Sequence, residues 1–208
     1  MSLTNRQSSR DRIMSAARDE VETKGILGLR VQDVAAKARV SVPLIYKYFG
    51  DRDGLLAETL GDMFEEDVLE LVDRSEESFA AITSPTVDDL VAILAVPFLE
   101  HRRAYRWQRI QIMAAAMEIA PLRDRLAIVT AAIHERVTGY MSAAQRRITG
   151  GSEPVSSAAL AVLLQTYGFG LVLNDLLEDS SASVSETEFT GMLRAILAPV
   201  MSAQHARS

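Results

Sequence analysis

Residues 31–55 read VQDVAAKARVSVPLIYKYFGDRDGL, and this stretch decides the fold. Its first part repeats apolar residues with the i, i+3, i+4, i+7 spacing of one helical face, at Val31, Val34, Ala35 and Ala38. Ser41 then stands where it can cap a second short helix over residues 42–48. The first turn of that helix accommodates Pro43, because the missing N–H is not needed there. Helices this short are marginal alone, so both must pack on neighbours.

Longer helices flank this pair. One apolar face before it comprises Ile13, Ala16, Ala17 and Val21. This face predicts a helix over residues 9–24 that ends at Gly25. Asp51 is placed to cap a fourth helix that runs to about residue 72. Two short helices joined by a tight turn and braced by a first helix form the arrangement of helix-turn-helix DNA readers, in which the second short helix enters the major groove.

The segment from residue 10 to residue 55 resembles the DNA-binding domain of the TetR family of bacterial transcriptional regulators. The residues that carry the resemblance are Val34-Ala35, Ala38-Arg39-Val40-Ser41, Ile45-Tyr46-Lys47-Tyr48-Phe49 and Arg52 through Leu55. Their combined spacing is more specific than a bare helix-turn-helix pattern. The family usually has glycine where this chain has Arg39, so the turn is strained if φ is positive there. The family often has histidine at the position of Tyr48. The hydroxyl of Tyr48 can still donate a hydrogen bond to a phosphate.

The resemblance implies which side chains contact DNA. These are Val42, Pro43 and Leu44 at base edges, Tyr46, Tyr48 and Arg52 at phosphates, and Lys47 at either. Ser41 and the N–H groups of the helix start can hold a phosphate oxygen. Because the three base-facing residues are apolar, they can sense only groove shape and thymine methyl groups. Without the motif, both tyrosines would be interpreted as half-buried aromatics and Arg52 as a solvated charge.

Charge is distributed unevenly along the chain. The sequence has 22 basic and 28 acidic residues, a net charge of −6, yet residues 1–50 carry +4 and the remainder carries −10. A basic head on an acidic body suits a head that meets phosphate. An arm over residues 1–8, which includes Arg6, could reach the minor groove or the backbone.

The sequence has no cysteine and no secretory signal, so we expect a reducing cytoplasm.

Helical periodicity continues to the end of the chain without period-two alternation, so we predict an all-α protein of about nine helices. Residues 1–52 are predicted to form the helix-turn-helix DNA-binding domain, and residues 53–208 a larger helical ligand-binding and dimerisation domain. The later helices are predicted from residue 87 with a kink at Pro97, then over 103–119, 121–148, 154–177 and 185–202. Ser185 and Glu188 form a capping box for the last one.

The predicted helix over residues 154–177 is apolar almost all round, so it must be buried in the protein, in a partner or in a membrane. Gln165, Asn174 and Asp175 interrupt it before the ~20 apolar residues that a bilayer span needs, so a membrane is not expected. We predict a homodimer in which residues 154–177 and 185–202 of two chains form a four-helix bundle, as the resemblance also implies. A central helix within a monomer is the alternative.

The second domain is expected to sense a small molecule, as the resemblance implies. The candidate ligand-binding residues are Phe64, Phe98, Trp107, Ile110, Met113 and Met117, with His101, Gln111 and His134 as polar groups. Core packing explains the aromatics and methionines at least as well. Four arginines, Arg102, Arg103, Arg106 and Arg109, either hold an anionic ligand or are solvated or paired with the acidic run over residues 65–70.

Enzyme motifs are incomplete. His134-Glu135 begins like a zinc-protease motif, but Thr138 stands where the second ligand belongs. The sequence therefore predicts no enzyme, no metal site and no cofactor. It predicts a ligand-responsive DNA-binding regulator, a repressor that a small molecule releases from its operator. The alternative is a small-molecule-binding helical dimer whose N-terminal domain pairs with protein, and an α-helical hydrolase comes third. Steep salt dependence of DNA binding would separate these classes.

Overall fold

The computed structural model describes residues 8–177 and 180–202. Within these ranges the chain forms nine α-helices and no strand, which confirms the all-α prediction. The helices are α1 Ser9–Gly28, α2 Val31–Ala38, α3 Val42–Phe49, α4 Arg52–Ala80, α5 Val87–Ala95, α6 Arg103–Glu118, α7 Ala120–Thr149, α8 Ser157–Leu176 and α9 Glu186–Ser202.

Two compact units make up the described residues. The first comprises the residues up to Glu66 together with Gln111–Thr130, and the second comprises Asp67–Ile110 together with the residues from Ala131 onward. Three helices, α4, α6 and α7, contribute residues to both units. The domain boundary between residues 52 and 53 stays a prediction.

The first unit is built around α1, α2 and α3. Its core contains the apolar residues that the periodicity selected, with Ile13, Val34, Ile45, Leu55 and Leu60 all fully buried. Ile13 and Val34 lie on the faces by which α1 and α2 pack together. Burial of these apolar faces explains why α2 and α3 are stable. A helix of eight residues is marginal in isolation, and tertiary packing supplies the missing stability.

Three backbone positions shape the first unit. The predicted end of the first helix at Gly25 is wrong, because Gly25, with φ 75° and ψ 169°, kinks α1, which continues to Gly28. Arg39 ends α2 at φ 56° and ψ 50°, so a non-glycine residue does adopt the left-handed turn between α2 and α3. At Gly54 a Cβ atom would lie 1.9 Å from the carbonyl oxygen of Phe49, so the close approach of α3 to the start of α4 requires glycine.

In the second unit, α5 packs on α9. Its core includes Leu90, Leu94, Met141 and Leu160, all nearly or fully buried. The buried side chain of Gln145 connects α7 to the start of α8. It donates to the Val155 carbonyl at 3.0 Å and to the Ser157 hydroxyl at 2.8 Å. A buried amide with such partners is tolerated in an apolar core because its polar atoms are satisfied.

Several helix ends differ from the prediction. The fourth helix continues beyond residue 72 to Ala80, since Phe79 is buried and Arg74 pairs with Glu70 one turn earlier. The fifth helix does not kink at Pro97. It ends at Ala95, and the chain continues as a 3-10 turn over Val96–Phe98, because proline lacks the N–H that a continuing helix would need.

The last two helices begin close to their predicted positions. Predicted from Pro154 to Leu177, α8 is observed as Ser157–Leu176, and Ser156 caps it by accepting from the Ala159 N–H at 3.3 Å. The capping box of α9 is confirmed, because the Ser185 N–H and hydroxyl both donate to Glu188. Among the described helices, α8 alone is long and apolar enough to cross a membrane, and a single such helix is weak evidence for one.

Candidate functional site

The third helix has one inward and one outward face. Ile45 and Phe49, four residues apart, are 0% and 8% exposed and join the core. The residues between them point away from the core, so Tyr46 and Tyr48 are 44% and 47% exposed and Lys47 is exposed as well. These three side chains, predicted to contact DNA, therefore share an outward surface on α3.

The N-terminal end of α3 is also open. Ser41 occupies the predicted cap position in an extended conformation, and its hydroxyl makes no capping hydrogen bond. Pro43 is exposed, and Val42 and Leu44 are half-buried. Because a helix start presents N–H groups and the positive end of the helix dipole, an uncommitted hydroxyl there suits a phosphate oxygen.

Most cations of α1 and α2 are neutralised locally. Ion pairs join Arg10 to Glu58 at 2.7 Å, Arg18 to Glu66 at 2.5 Å, Lys24 to Glu20 at 2.6 Å and Lys37 to Asp19 at 3.1 Å. The basic excess of residues 1–50 is thus not spread over the whole head. Among the described residues it is concentrated at a few cations outside these pairs.

Three of these cations lie on α3 or at the ends of α2. Within the part of the chain that the structure describes, Lys47, Arg39 and Arg30 form no ion pair or side-chain hydrogen bond, and all three are exposed. The sequence selected Lys47 but missed Arg30 and Arg39 as candidate phosphate contacts. Assigning Arg10, Arg18, Lys24 and Lys37 to acidic partners would have narrowed the candidates to the other cations of the head. The predicted arm over residues 1–8 lies outside the described residues except for Ser8.

Arg52, predicted to contact a phosphate, has partners within the protein. Its Nε donates to the Leu29 carbonyl at 3.2 Å and its Nη2 to the Ile26 carbonyl at 3.3 Å. Both carbonyls belong to the end of α1, where backbone acceptors lack helical partners. The side chain thus caps α1, and its contact with DNA stays a prediction.

The second unit contains two adjacent cavities. The outer cavity, of about 290 Å³, lies between α4, α5 and the turn at His101, and includes Phe79 and Ile82 in its wall. The inner cavity, of about 50 Å³, lies against α6, α7 and α8. The residues shared by both walls are Leu71, Ser75, Ile93, Val96 and Arg102.

Buried arginines surround the inner cavity. Arg102 is 8% exposed, donates to Asp67 at 2.6 Å and lies over the Tyr105 ring at 4.4 Å. Arg109 lies over the Phe169 ring at 4.3 Å. Burial lowers the pKa of Arg109 to about 10 and raises the pKa of Asp67, although Arg102 opposes the latter effect. Arg109 therefore stays protonated at neutral pH.

Arg106 has a different partner. It donates to Asp175 at 3.0 Å through Nε and to the Pro97 and Leu99 carbonyls at 2.9 and 3.1 Å. Arg103 donates to the Asp175 carbonyl at 3.3 Å. Three roles were predicted as alternatives for these arginines: binding an anion, solvation, or pairing with the acidic run. Solvation does not describe Arg102 and Arg106, because both are buried. Pairing with the acidic run holds for Arg102 and Asp67.

The nine candidate ligand-binding residues are not gathered in these cavities. His101 lines the outer cavity, and His134 contacts Gln165 of the inner wall at 3.2 Å. Phe98 stacks on Phe189 at 5.4 Å, while Phe64 is buried in the core of the first unit. Those that line neither cavity also include Trp107, Ile110, Gln111, Met113 and Met117, the last of which is 77% exposed.

An apolar surface remains uncovered on α8 and α9. On α8 it comprises Val162, Leu163, Leu173 and Leu176, and on α9 Met192, Ile196 and Val200. Leu173 and Ile196 are 68% and 58% exposed. The opposite sides of the same helices, with Leu160 and Leu193, are buried in the second unit. We call the exposed set the α8–α9 surface.

The N-terminal part of the chain is similar to a known family of regulatory proteins. Residues 13–59 match the family model "Bacterial regulatory proteins, tetR family". This match falls on the segment from which the sequence resemblance was drawn and confirms it. A search of curated proteins finds no match.

Solved structures share the fold over most of the chain. A protein from Rhodococcus sp. described as a TetR-family transcriptional regulator is 28% identical, with a TM-score of 0.61, over 93% of this chain and 98% of the other. The multidrug binding protein EbrR, complexed with proflavin, is 24% identical with a TM-score of 0.60, over 90% and 99%. A transcriptional regulator from Saccharomonospora viridis, in complex with choline, is 18% identical with a TM-score of 0.59, over 91% and 95%.

Proposed function

We propose that this chain, which has the TetR-type helix-turn-helix domain at residues 13–59 and the fold of TetR-family regulators, is a homodimeric repressor that binds operator DNA. The observation that carries the proposal is the outward surface of α3. Tyr46, Lys47 and Tyr48 are exposed there, and Ser41 at the helix start has an uncommitted hydroxyl. Among the described residues of the first unit, the side chains of Tyr46 and Lys47 make no hydrogen bond or ion pair and Tyr48 lies against the adjacent Phe49 ring at 6.1 Å, whereas a DNA backbone would use all of them.

Sequence readout in this proposal depends on apolar contact. Val42, Pro43 and Leu44 precede the tyrosines on α3, and none of them can form paired hydrogen bonds with a base edge. Val42 and Leu44 are half-buried, so only part of each side chain is available to a groove. The proposed operator therefore contains thymine methyl groups opposite this end of α3, while Lys47 and the flanking cations hold the backbone.

The proposed dimer forms through the α8–α9 surface. In the protomer, the apolar side chains of Leu173 and Ile196 are exposed to solvent. Burying apolar surface of this kind between two chains stabilises their association. Two chains joined in this way present two copies of α3. An operator for such a dimer would contain two half-sites separated by about 34 to 36 Å along one DNA face.

A small molecule that binds in the second unit is proposed to release the repressor. The two adjacent cavities support this part of the proposal, since their walls combine apolar and polar side chains. EbrR with proflavin and the S. viridis regulator with choline show that proteins of this fold take small ligands. By linkage, ligand and DNA must weaken each other's equilibrium binding by the same factor. We place this function in the cytoplasm and propose no catalytic step.

A footprint on the DNA beside the chain's own gene tests the proposal. The full-length protein is expected to protect two related half-sites, and its affinity should fall steeply as salt rises, because phosphate contacts release counterions. Protection of a single unrepeated site would contradict the dimer. Absence of specific protection, together with capture of a protein by the first unit, would favour the alternative of a helical dimer whose N-terminal domain pairs with protein.

A further inference from the structure

The charged side chains that line the inner cavity have one sign. Arg102 and Arg109 are the charged residues of its described wall, and Asp67, which pairs with Arg102 at 2.6 Å beside that wall, balances one of the two charges. The remaining wall is mostly apolar, with Val68, Val137 and Leu164 among its members. A mostly apolar cavity that contains two guanidinium groups favours an anion, because Coulomb interactions strengthen as the dielectric constant falls.

Both arginines are positioned before any ligand arrives. Arg102 is held by Asp67 at 2.6 Å and by the Tyr105 ring, and Arg109 stacks on Phe169 at 4.3 Å. Burial is the main cause of the lowered pKa of Arg109, attraction to Asp67 opposes it, and repulsion from Arg102 adds a smaller lowering. Asp67 supplies one negative charge to these two cations, so an anion that contacts both guanidinium groups would balance the second, and a planar carboxylate matches guanidinium geometry well.

The two cavities differ in what they can hold. The inner cavity of about 50 Å³ is large enough for a head group only, whereas the outer cavity of about 290 Å³ has the larger apolar wall, including Phe79, Ile82 and Ile93. The carboxylates of the outer wall already have partners. Glu70 pairs with Arg74, and Asp89 accepts from Thr86 at 2.7 Å. Neither of them lines the inner cavity, so the two arginines remain its charged groups.

We propose that the ligand of the second unit is a small amphipathic carboxylate, whose carboxylate group contacts Arg102 and Arg109 in the inner cavity and whose apolar body fills the outer cavity. Arg102 contributes to both walls and marks where the two parts of the ligand join. The inference deepens the proposed function, since it names the ligand class of the proposed regulator. The outer cavity lies at the small end of the roughly 300–1,000 Å³ typical of ligand sites, so a short chain suits it.

Three probes with one apolar body and different head groups test this inference. Octanoate, 1-octanol and octylammonium are titrated calorimetrically into the full chain without DNA. Octanoate is expected to bind about tenfold more tightly than 1-octanol, the difference that a charge-assisted hydrogen bond typically makes, and octylammonium most weakly. Equal or tighter binding of either other probe would overturn the inference, and so would failure of all three to bind.

Variants then assign the effect to the cavity. Arg109→Gln and Arg109→Met should each reduce octanoate affinity to that of 1-octanol while leaving 1-octanol binding unchanged. The control Arg123→Gln removes the same charge from an exposed position on α7 and should leave the affinities for both probes as they are. Circular dichroism checks that each variant is folded, and the wild-type comparison of head groups decides the matter should both Arg109 variants unfold. Unchanged octanoate affinity in a folded Arg109 variant would overturn the inference.

The result is independent of DNA binding. A chain that prefers octanoate but protects no operator would fail only the proposed regulatory function. A chain that protects an operator but shows no preference for the carboxylate would fail only the inference about the ligand.

Discussion

The Nε atom of Arg52 donates a hydrogen bond to the carbonyl oxygen of Leu29 at 3.2 Å, which joins the first residue of α4 to the end of α1. A second bond, from Nη2 to the Ile26 carbonyl, reinforces the connection. The side chain that the family resemblance assigned to a phosphate thus has a structural task as well. Its substitution should affect folding and DNA binding together.

We expect Arg52→Ala to lower the free energy of unfolding by about 1 to 3 kcal/mol, since two carbonyl groups lose a charged donor. Urea denaturation at neutral pH measures the change. Arg52→Lys keeps the charge but cannot reach both carbonyls in the same geometry, so it should recover only part of the stability. Full stability in Arg52→Ala would mean that solvent replaces both bonds without loss.

Lys47 lies on the outward surface of α3 and should behave differently. Lys47→Glu is expected to abolish operator binding while the melting temperature stays within about two degrees, because an exposed side chain without partners contributes little to stability. Gel-shift titration and thermal melts measure the two properties. The matched charge reversal Arg123→Glu, on an exposed face of α7, should bind operator normally. Normal binding by the Lys47 variant would disprove the assignment of α3.

Arg39 combines a strained backbone with an exposed cation. Its φ of 56° suits glycine, so Arg39→Gly should leave stability unchanged or raise it by up to about 1 kcal/mol. If the cation contacts a phosphate, the same change should weaken DNA binding and reduce the slope of log affinity against log salt by about 1. Arg39→Asn is the control, since asparagine tolerates this conformation but carries no charge. An unchanged salt slope in both variants would remove Arg39 from the interface.

Leu173 and Ile196 test the dimer. Both are exposed in the protomer, so Leu173→Arg or Ile196→Arg should yield folded monomers, whereas Leu171, 8% exposed, is needed in the protomer's own core. Light scattering gives the mass and circular dichroism the helix content. Thr187→Arg, which places the same charge on an exposed part of α9, should remain dimeric. Dimers in both apolar-to-charged variants would place the interface elsewhere.

The capping box of α9 should respond to pH. The Ser185 hydroxyl and backbone N–H lower the pKa of Glu188 below its ordinary value of 4.5. Stabilisation by the ionised carboxylate is therefore complete above pH 4.5 and disappears as pH falls through the lower, folded-state value. Glu188→Gln should melt below wild type at pH 7, and the difference should vanish in acid. A constant difference between pH 7 and pH 3 would exclude the carboxylate as its source.

Local chemistry explains what the sequence by itself determined. The spacing of Val31, Val34, Ala35 and Ala38 predicted α2 within its observed bounds, Gly25 marked the kink of α1, and Ser185 marked the start of α9. Each of these signals acts within one or two turns of chain. The same spacing placed Ile45 inward and Lys47 outward on α3.

Tertiary structure alone decided which partner each side chain meets. Leu171 and Leu173 are the same residue type on the same helix, so the sequence gives no reason to treat them differently. Packing in the protomer buries Leu171 and leaves Leu173 exposed. Arg102 meets Asp67, a residue 35 positions away, and Arg52 meets carbonyls at the end of another helix. The cavities likewise form where side chains of α4 to α8 do not fill the space between the helices. The pattern of apolar residues along a single helix cannot predict such a gap, because the gap depends on how several helices pack together.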